Sequence, residues 1–211
     1  VWQIAPSLRM GNTVIVKPSG FTPLSVLALG EIFNRHLPSG VLSVITGDRE
    51  VGAAIASHPG LDKIMFTGST ETGRKIVESS ARNLARLTLE LGGNDAGIVL
   101  PDTDVSAIAE NLFWGCFINT GQTCAALKRL YVHESVYETV VNALADLATA
   151  MPMGRGLDAG NVLGPLQNQN QFDIVRDLVD DARAQGARIV VGGEPAPELG
   201  PLFYRATVVA D

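Results

Sequence analysis

The 211-residue chain is 46% hydrophobic and carries a formal net charge of −6, from 16 basic and 22 acidic residues. That hydrophobic share supports a sizeable core and argues against disorder. The acidic balance argues against a nucleic-acid partner, which would need clustered lysines and arginines. Two cysteines are too few for a disulfide scaffold and favour a cytoplasmic protein. No apolar run approaches the roughly 18 residues of a membrane span, so we expect no membrane partner.

The two ends of the sequence are typical of an internal fragment. The chain starts with VWQIAPSLRM, which has neither an initiator methionine nor a signal-peptide pattern. It finishes with YRATVVAD, just after a strand-like run. We therefore expect the chain to be part of a longer protein.

Strand-like and helix-like segments alternate through the first part of the chain. Short runs rich in β-branched residues predict strands at 12–17, 41–46, 63–67 and 87–91. Helices are predicted from Thr22 and Pro23, which suit the N-cap and first helical positions, and at 51–57 and 70–81. This rhythm predicts an α/β fold with a doubly wound parallel sheet and helices on both of its faces.

The double glycine Gly92-Gly93 interrupts this pattern. Beyond it, strands are predicted at 96–100, 128–133 and 187–191, and helices at 104–119, 135–150 and 169–185. We therefore expect a domain boundary here, with one domain at 1–92 and a second α/β domain at 93–211.

Cys124 is a candidate nucleophile. It lies in the segment FINTGQTCAA, residues 117–126, where small neighbours would let a substrate approach closely. A cysteine nucleophile reacts as its thiolate and needs backbone N–H groups or positive charge nearby. On composition alone, a single cysteine is more often a small buried apolar residue, so this segment leaves both interpretations open.

Glu90 is a candidate general base. It ends an apolar strand in the segment LELGGNDA, residues 89–96, and we expect this position to bury it in part. The two glycines that follow would let a flat ligand or another backbone pass close by. An ion pair with Arg86 is an equally good explanation of the carboxylate.

Two further segments suit an anionic ligand. Lys17 ends a strand, where doubly wound sheets place their ligands. Gly68-Ser69 precedes a helix, whose N-terminal N–H groups and dipole favour an anion. The alternatives are a solvated lysine and an ordinary serine N-cap. The three histidines share no metal-ligand spacing, and no metal is expected.

These segments together resemble the aldehyde dehydrogenase superfamily. LELGGNDA and FINTGQTCAA are similar to its two catalytic signatures, and 124 − 90 gives the 34-residue separation typical of that family. NTVIVKPS, residues 12–19, and FTGST, residues 66–70, resemble its coenzyme-binding segments in the expected order. The resemblance implies part of a Rossmann-like coenzyme domain, followed by part of an α/β catalytic domain.

The resemblance also implies roles for individual residues. Cys124 would be the nucleophile and Glu90 the base, whereas Cys116 matches no role and is expected in the core. The cofactor, NAD or NADP, would be held by Lys17, Ser19, Gly68, Ser69, Leu91 and Gly92. Gly20 stands where many relatives carry a glutamate that repels a 2′-phosphate, which leaves NADP open, although NAD stays slightly favoured.

Several expectations concern the longer protein. The resemblance implies a homo-oligomer, dimer or tetramer, that oxidises a small aldehyde. The family's proline-tryptophan-asparagine segment, which completes the oxyanion hole, and its glutamate-rich ribose segment are not in this sequence, so we expect residues 1–211 alone to be inactive. Two alternatives remain: a CoA-acylating dehydrogenase, which Glu90 disfavours, and a non-catalytic scaffold of the same fold.

Overall fold

Gly92 and Gly93 lie where the chain divides into two units, Val1–Gly92 and Gly93–Asp211. The computed structural model describes residues 2–211. Between those residues, no helix is both long and apolar enough to cross a membrane. The same part of the chain has no cluster of three histidine, cysteine or acidic side chains that could hold a metal ion.

The first unit alternates helices with short strands. Its helices are α1 (Ile4–Arg9), α2 (Leu24–Asn34), α3 (Arg49–Ala56) and α4 (Thr70–Ser80). Its strands are β1 (Val14–Val16), β2 (Leu42–Val44), β3 (Lys63–Thr67) and β4 (Arg86–Glu90). Helix α2 begins at Leu24 with Pro23 as its N-cap, one residue later than predicted.

The strands of the first unit are parallel, as the alternating pattern predicts. β1 pairs with β2, from Val14 opposite Leu42 to Val16 opposite Val44. β3 pairs with β4 along their whole length, from Lys63 opposite Arg86 to Thr67 opposite Glu90. Within residues 2–92 the backbone hydrogen bonds thus form two separate pairs instead of one continuous ladder. The α/β class is confirmed; which strands are neighbours does not follow from local periodicity.

The core of the first unit is small. Its buried members are Ala56, Ile64, Ile76 and Ala85, which come from α3, β3, α4 and the turn before β4. Burial of these side chains fixes the two helices against the β3–β4 pair. That packing brings the carboxyl ends of β3 and β4 to one edge, where Gly68 and Glu90 lie.

The second unit contains a larger set of elements. Its helices are α5 (Val105–Phe117), α6 (Tyr137–Ala150) and α7 (Gln169–Ala184), and its strands are β5 (Asp95–Val99), β6 (Leu127–Val132), β7 (Arg188–Val191) and β8 (Val208–Ala210). Short 3₁₀ turns cover Ile118–Gly121 and Glu134–Val136. β5 and β6 are parallel, whereas β7 and β8 form an antiparallel pair that the sequence pattern does not predict.

Helices α5 and α6 pack around the main core of this unit. Its buried residues are Val99, Val105, Phe113, Val140, Leu144, Ala148 and Leu163. The Phe113 ring is fully buried and stacks on Phe117 at a centroid separation of 4.6 Å. Because Phe117 ends α5, this core fixes the point from which the chain enters the Cys124 segment.

Candidate active site

Cys124 lies in a tight turn between α5 and β6. The N–H of Ala126 donates to the Thr123 carbonyl at 3.1 Å and closes the turn around Cys124. The N–H of Lys128 then donates to the Ala126 carbonyl at 2.9 Å as β6 begins. The thiol is exposed, so a substrate could reach it, and the expected position in a loop is found.

The backbone before this turn is strained. Asn119, Thr120 and Gly121 have φ values of 52°, 56° and 71°, a run in the left-handed region. Glycine adopts this region freely and asparagine tolerates it, but for a β-branched threonine it is costly. Such strain persists only where the surrounding structure holds it, and it is concentrated at functional sites.

Contacts from the loop after α6 hold the strained segment. The Thr120 hydroxyl oxygen accepts a hydrogen bond from the Gly164 N–H at 3.0 Å. The Gln122 side chain accepts from the Gln167 N–H at 2.9 Å and donates to the Pro165 carbonyl at 3.1 Å. Residues some 45 positions along the chain therefore fix the backbone that leads to Cys124.

Two cations lie beside the Cys124 turn. The Lys128 Nζ donates to the carbonyls of Thr123 at 3.3 Å and Gly93 at 3.5 Å, and the Arg129 Nε donates to the Asn94 carbonyl at 2.9 Å. Through these carbonyls Lys128 links the Cys124 turn to Gly93, and Arg129 holds the neighbouring Asn94. Neither Lys128 nor Arg129 is predicted as a site residue from the sequence, although a Lys-Arg pair at the start of a strand is a visible signal.

Gly93 is packed directly against the turn. A Cβ at this position would collide with the carbonyl oxygen of Cys124, a backbone atom that cannot move aside as a side chain would. Among residues 2–211, no oxygen accepts a hydrogen bond from the Cys124 N–H. The turn thus combines close packing on one side with a free N–H donor next to the thiol.

The other cysteine has a different environment. Cys116 is half-buried within α5, and burial raises the pKa of its thiol to about 11. At neutral pH this thiol is protonated and a poor nucleophile. Of the two cysteines, only Cys124 has the exposure that covalent chemistry requires.

Glu90 ends β4 in the first unit. The expectation of partial burial is wrong: the Glu90 side chain is exposed, because it points away from the face on which Leu87 and Leu89 pack into the core. None of the ion pairs between residues 2 and 211 includes Glu90, so the structure gives no support to a pairing with Arg86. Arg86 begins the same five-residue strand, too far along it to reach Glu90.

The structure brings Glu90 and the Gly68-Ser69 turn together. The Gly68 N–H donates to the Glu90 carbonyl at 3.0 Å, across the ends of β3 and β4. Ser69 caps α4, its hydroxyl oxygen accepting from the Thr72 N–H at 3.2 Å. The serine N-cap is therefore present, and an anion at the N-terminus of this helix remains compatible with it.

The residues after Glu90 differ in their surroundings. The Leu91 side chain packs on α4 at Gly73, where a Cβ would press against it. A Cβ on Gly92 would meet nothing within 4 Å. Open space at Gly92 suits the approach of a flat ligand, as the double glycine suggests.

A second group of predicted residues surrounds a cavity at the ends of β1 and β2. The cavity has a volume of about 290 Å³, and its lining includes Pro18, Ser19, Gly20, Pro23, Gly47 and Asp48. The Lys17 Nζ donates to the carbonyls of Pro18 at 2.9 Å and Gly47 at 3.1 Å, so the ammonium group lies beside this cavity. The Ser19 hydroxyl oxygen accepts from the Phe21 N–H at 3.2 Å.

Comparison with known proteins gives the same family over the whole chain. The sequence matches the aldehyde dehydrogenase family over residues 1–211. It is 41% identical over 213 residues to phenylacetaldehyde dehydrogenase of Pseudomonas fluorescens and 40% identical over 214 residues to human retinaldehyde dehydrogenase 3, covering 100% of this chain in both cases. It spans 42% of the length of each of these two relatives.

Solved structures agree in fold. The NAD⁺ complex of an aldehyde dehydrogenase from Bacillus cereus superposes with a TM-score of 0.95 at 38% identity, over 100% of this chain and 43% of that one. An NADP-dependent enzyme from E. coli gives the same TM-score at 38% identity, over 99% of this chain and 44% of that one. The chain belongs to the aldehyde dehydrogenase family.

Proposed function

We propose that the protein containing this chain oxidises an aldehyde to a carboxylate, with Cys124 as nucleophile and NAD(P)⁺ as hydride acceptor. The observation that carries the proposal is the Cys124 turn. The exposed Cys124 thiol lies next to a free backbone N–H, and Lys128 holds the turn through the Thr123 carbonyl. The chain that carries this turn belongs to the aldehyde dehydrogenase family. Relatives and structural neighbours that oxidise aldehydes or hold NAD⁺ support the substrate class and cofactor.

In the first stage, the Cys124 thiolate attacks the aldehyde carbon and forms a C–S bond. The carbonyl oxygen becomes an oxyanion, and the free Cys124 N–H is the local donor to it. A bound nicotinamide would supply the acceptor for the hydride from this carbon. An acyl group then remains on Cys124 as a thioester.

In the second stage, Glu90 takes a proton from water, whose oxygen attacks the thioester carbonyl. The C–S bond breaks, a carboxylic acid leaves, and the Cys124 thiolate is restored. The exposed position of Glu90 at the end of β4 gives water direct access to its carboxylate. Hydrolysis by this route distinguishes the proposal from transfer of the acyl group to CoA.

The residues of the first unit fit a dinucleotide. A cavity with two proline faces suits a purine, Lys17 stands at its side, and the Gly68-Ser69 turn opens an 11-residue helix that favours phosphate. Open space at Gly92, next to the packed side chain of Leu91, suits the flat nicotinamide. We propose Lys17, Ser19, Gly68, Ser69, Leu91 and Gly92 as the cofactor-binding set.

The test uses the full-length protein with an aldehyde and NAD⁺ or NADP⁺. Cys124→Ala should lower kcat on the order of 10⁴-fold, because the covalent step is lost. Glu90→Gln should keep one rapid burst of reduced cofactor per active site and lose steady turnover, since only deacylation needs the base. Cys116→Ala is the matched control and should retain activity.

Other outcomes would point elsewhere. Full activity in Cys124→Ala would rule out the covalent mechanism, and an acyl-CoA product formed only with added CoA would favour the acylating alternative. Absence of both a burst and thiol labelling at Cys124 would favour a scaffold. Residues 1–211 alone should oxidise aldehydes at no measurable rate, because they span 42% of the length of the catalytic relatives.

We propose that the same protein is a cytoplasmic homo-oligomer, either a dimer or a tetramer. The low cysteine content supports a reducing compartment. Light scattering of the purified full-length protein measures its mass in solution. A monomeric mass at micromolar concentration would contradict the assembly without affecting the proposed chemistry.

A further inference from the structure

The cavity at the ends of β1 and β2 has one charged residue in its lining. β1 and β2 are parallel neighbours, so the segments that follow them, with Lys17 and Asp48, meet at the same edge. Pro18 and Pro23 give the cavity flat apolar walls, and Gly20 and Gly47 leave it open. Asp48 is the only charged side chain that lines it in the described part of the chain.

The Asp48 carboxylate is fixed in orientation by the helix that it caps. Its Oδ1 accepts hydrogen bonds from the N–H groups of Glu50 at 3.0 Å and Val51 at 3.3 Å. Within residues 2–211 no protein donor occupies the other oxygen, Oδ2. One oxygen of a preorganised carboxylate is therefore left for a hydroxyl donor at the cavity.

The cations nearby do not neutralise this oxygen. The Lys17 Nζ already donates to Pro18 and Gly47, and none of the ion pairs in the described residues includes Asp48. Arg49, the next residue, does not line the cavity. It lies close to Glu71 on α4, where Lys75 has the larger effect and Arg49 a smaller one in lowering the pKa of the Glu71 carboxyl. The cavity thus presents an un-neutralised acceptor from Asp48, which suits a hydroxyl donor and opposes a dianion.

We propose that Asp48 accepts a hydrogen bond from the 2′-hydroxyl of the adenosine ribose and repels a 2′-phosphate, so that this chain selects NAD over NADP. The proposal rests on the proposed function, which places the adenosine half of the cofactor in this cavity. Asp48 follows the second strand of a β–α–β unit, where an acid that binds ribose hydroxyls is a general solution in dinucleotide folds. Asp48 would thus replace the glutamate that repels a 2′-phosphate in many relatives, at whose position this chain has Gly20.

Calorimetric titration of the full-length protein with NAD⁺ and with NADP⁺, without aldehyde, tests the proposal by binding alone. The wild type should bind NAD⁺ more tightly. Asp48→Asn keeps a good N-cap but removes the charge, and should reduce the ratio of the NADP⁺ to the NAD⁺ dissociation constant by about tenfold or more. Asp48→Ser, which also caps helices, should shift the ratio the same way.

Glu50→Gln is the matched control. It removes a carboxylate two residues along the same chain that does not line the cavity, and should leave the ratio within about twofold. An unchanged ratio in both Asp48 variants, with NAD⁺ still bound, would overturn the role of Asp48 and leave the proposed function intact. Binding of neither cofactor to the wild type would instead count against the cofactor site in the proposed function.

Discussion

The two units differ in how their cores are built. The core of the second unit is centred on Phe113, which is 0% exposed, with Leu163 and Val140 buried almost as completely. In the first unit the buried cluster joins two alanines to Ile64 and Ile76, each 9% exposed. Apolar burial stabilises a fold roughly in proportion to area, so the second unit has the larger driving force.

This difference matches the tasks proposed for the two units. A turn that carries a nucleophile would need a fixed geometry, and the Cys124 turn comes seven residues after the end of α5, where Phe117 stacks on Phe113. The residues proposed to bind the cofactor lie on turns that follow three- and five-residue strands, and regions with few buried contacts open most readily. A binding surface that must admit and release a cofactor tolerates this softness better than a catalytic turn does.

The largest expected effect comes from removing the centre of the second core. Phe113→Ala should destabilise the second unit by about 3–5 kcal/mol, because the fully buried ring leaves a cavity that its neighbours cannot fill. Urea unfolding followed by fluorescence should show the loss, since Trp114 contacts the Phe113 ring edge to face at 5.4 Å. Trp2 is 94% exposed and contributes little change.

Ile76→Val provides the comparison in the first unit. It removes one methylene from a smaller cluster and should cost about 0.5–1.5 kcal/mol. Amide hydrogen exchange, resolved by peptide, should place the Phe113→Ala loss in residues 93–211 and the Ile76→Val loss in residues 2–92. Equal loss of protection in both units from either variant would show that they unfold as one body.

The elements that the sequence predicts well are those with clear local signals. β3 occupies 63–67 as predicted, and α7 covers Gln169–Ala184 against a prediction of 169–185. α1 is missed because its six residues have no side-chain cap and too short a period to detect. The β7–β8 pairing joins strands separated by a long irregular loop, and nothing in the local pattern specifies it.

The candidate site also combines features that the sequence predicts with features that it does not. Cys124 and Glu90 are proposed as site residues from residue type and spacing, whereas the exposure of Glu90 depends on what packs against β4 and is predicted wrongly. Lys128 contacts Gly93, which lies 35 residues away in the sequence. Local hydrophobic periodicity does not predict a contact over that separation. Asp48 looks like an ordinary helix cap in the sequence; only the cavity beside it suggests a second role.

An effect smaller than that of Phe113→Ala is expected at the double glycine. In Gly93→Ala the new Cβ collides with the Cys124 carbonyl, so the nucleophile turn must shift, at a cost of about 1–3 kcal/mol. Gly92→Ala meets no atom within 4 Å and should cost little. Iodoacetamide labelling of Cys124, followed by mass spectrometry, should change in rate for Gly93→Ala and not for Gly92→Ala. The same rate in both variants would mean that the packing of Gly93 does not set the turn.

The smallest effect is a pH dependence of the second unit. Burial raises the pKa of the Cys116 thiol from 9.0 to about 11 in the folded chain, so the unfolded thiol ionises first as pH rises. The contribution of the Cys116 thiol to the free energy of unfolding is fully present below pH 9 and is lost as pH rises to 11, because ionisation of the thiol then favours the unfolded state. Urea midpoints at pH 8 and pH 10.5, compared between the wild type and Cys116→Ala, isolate this contribution from lysines and tyrosines that titrate in both proteins. The wild type should lose more stability between pH 8 and pH 10.5 than the variant. Identical pH slopes would show that Cys116 is solvated enough to ionise normally. The α5 face that carries Cys116 would then be less tightly packed than the face that carries Phe113.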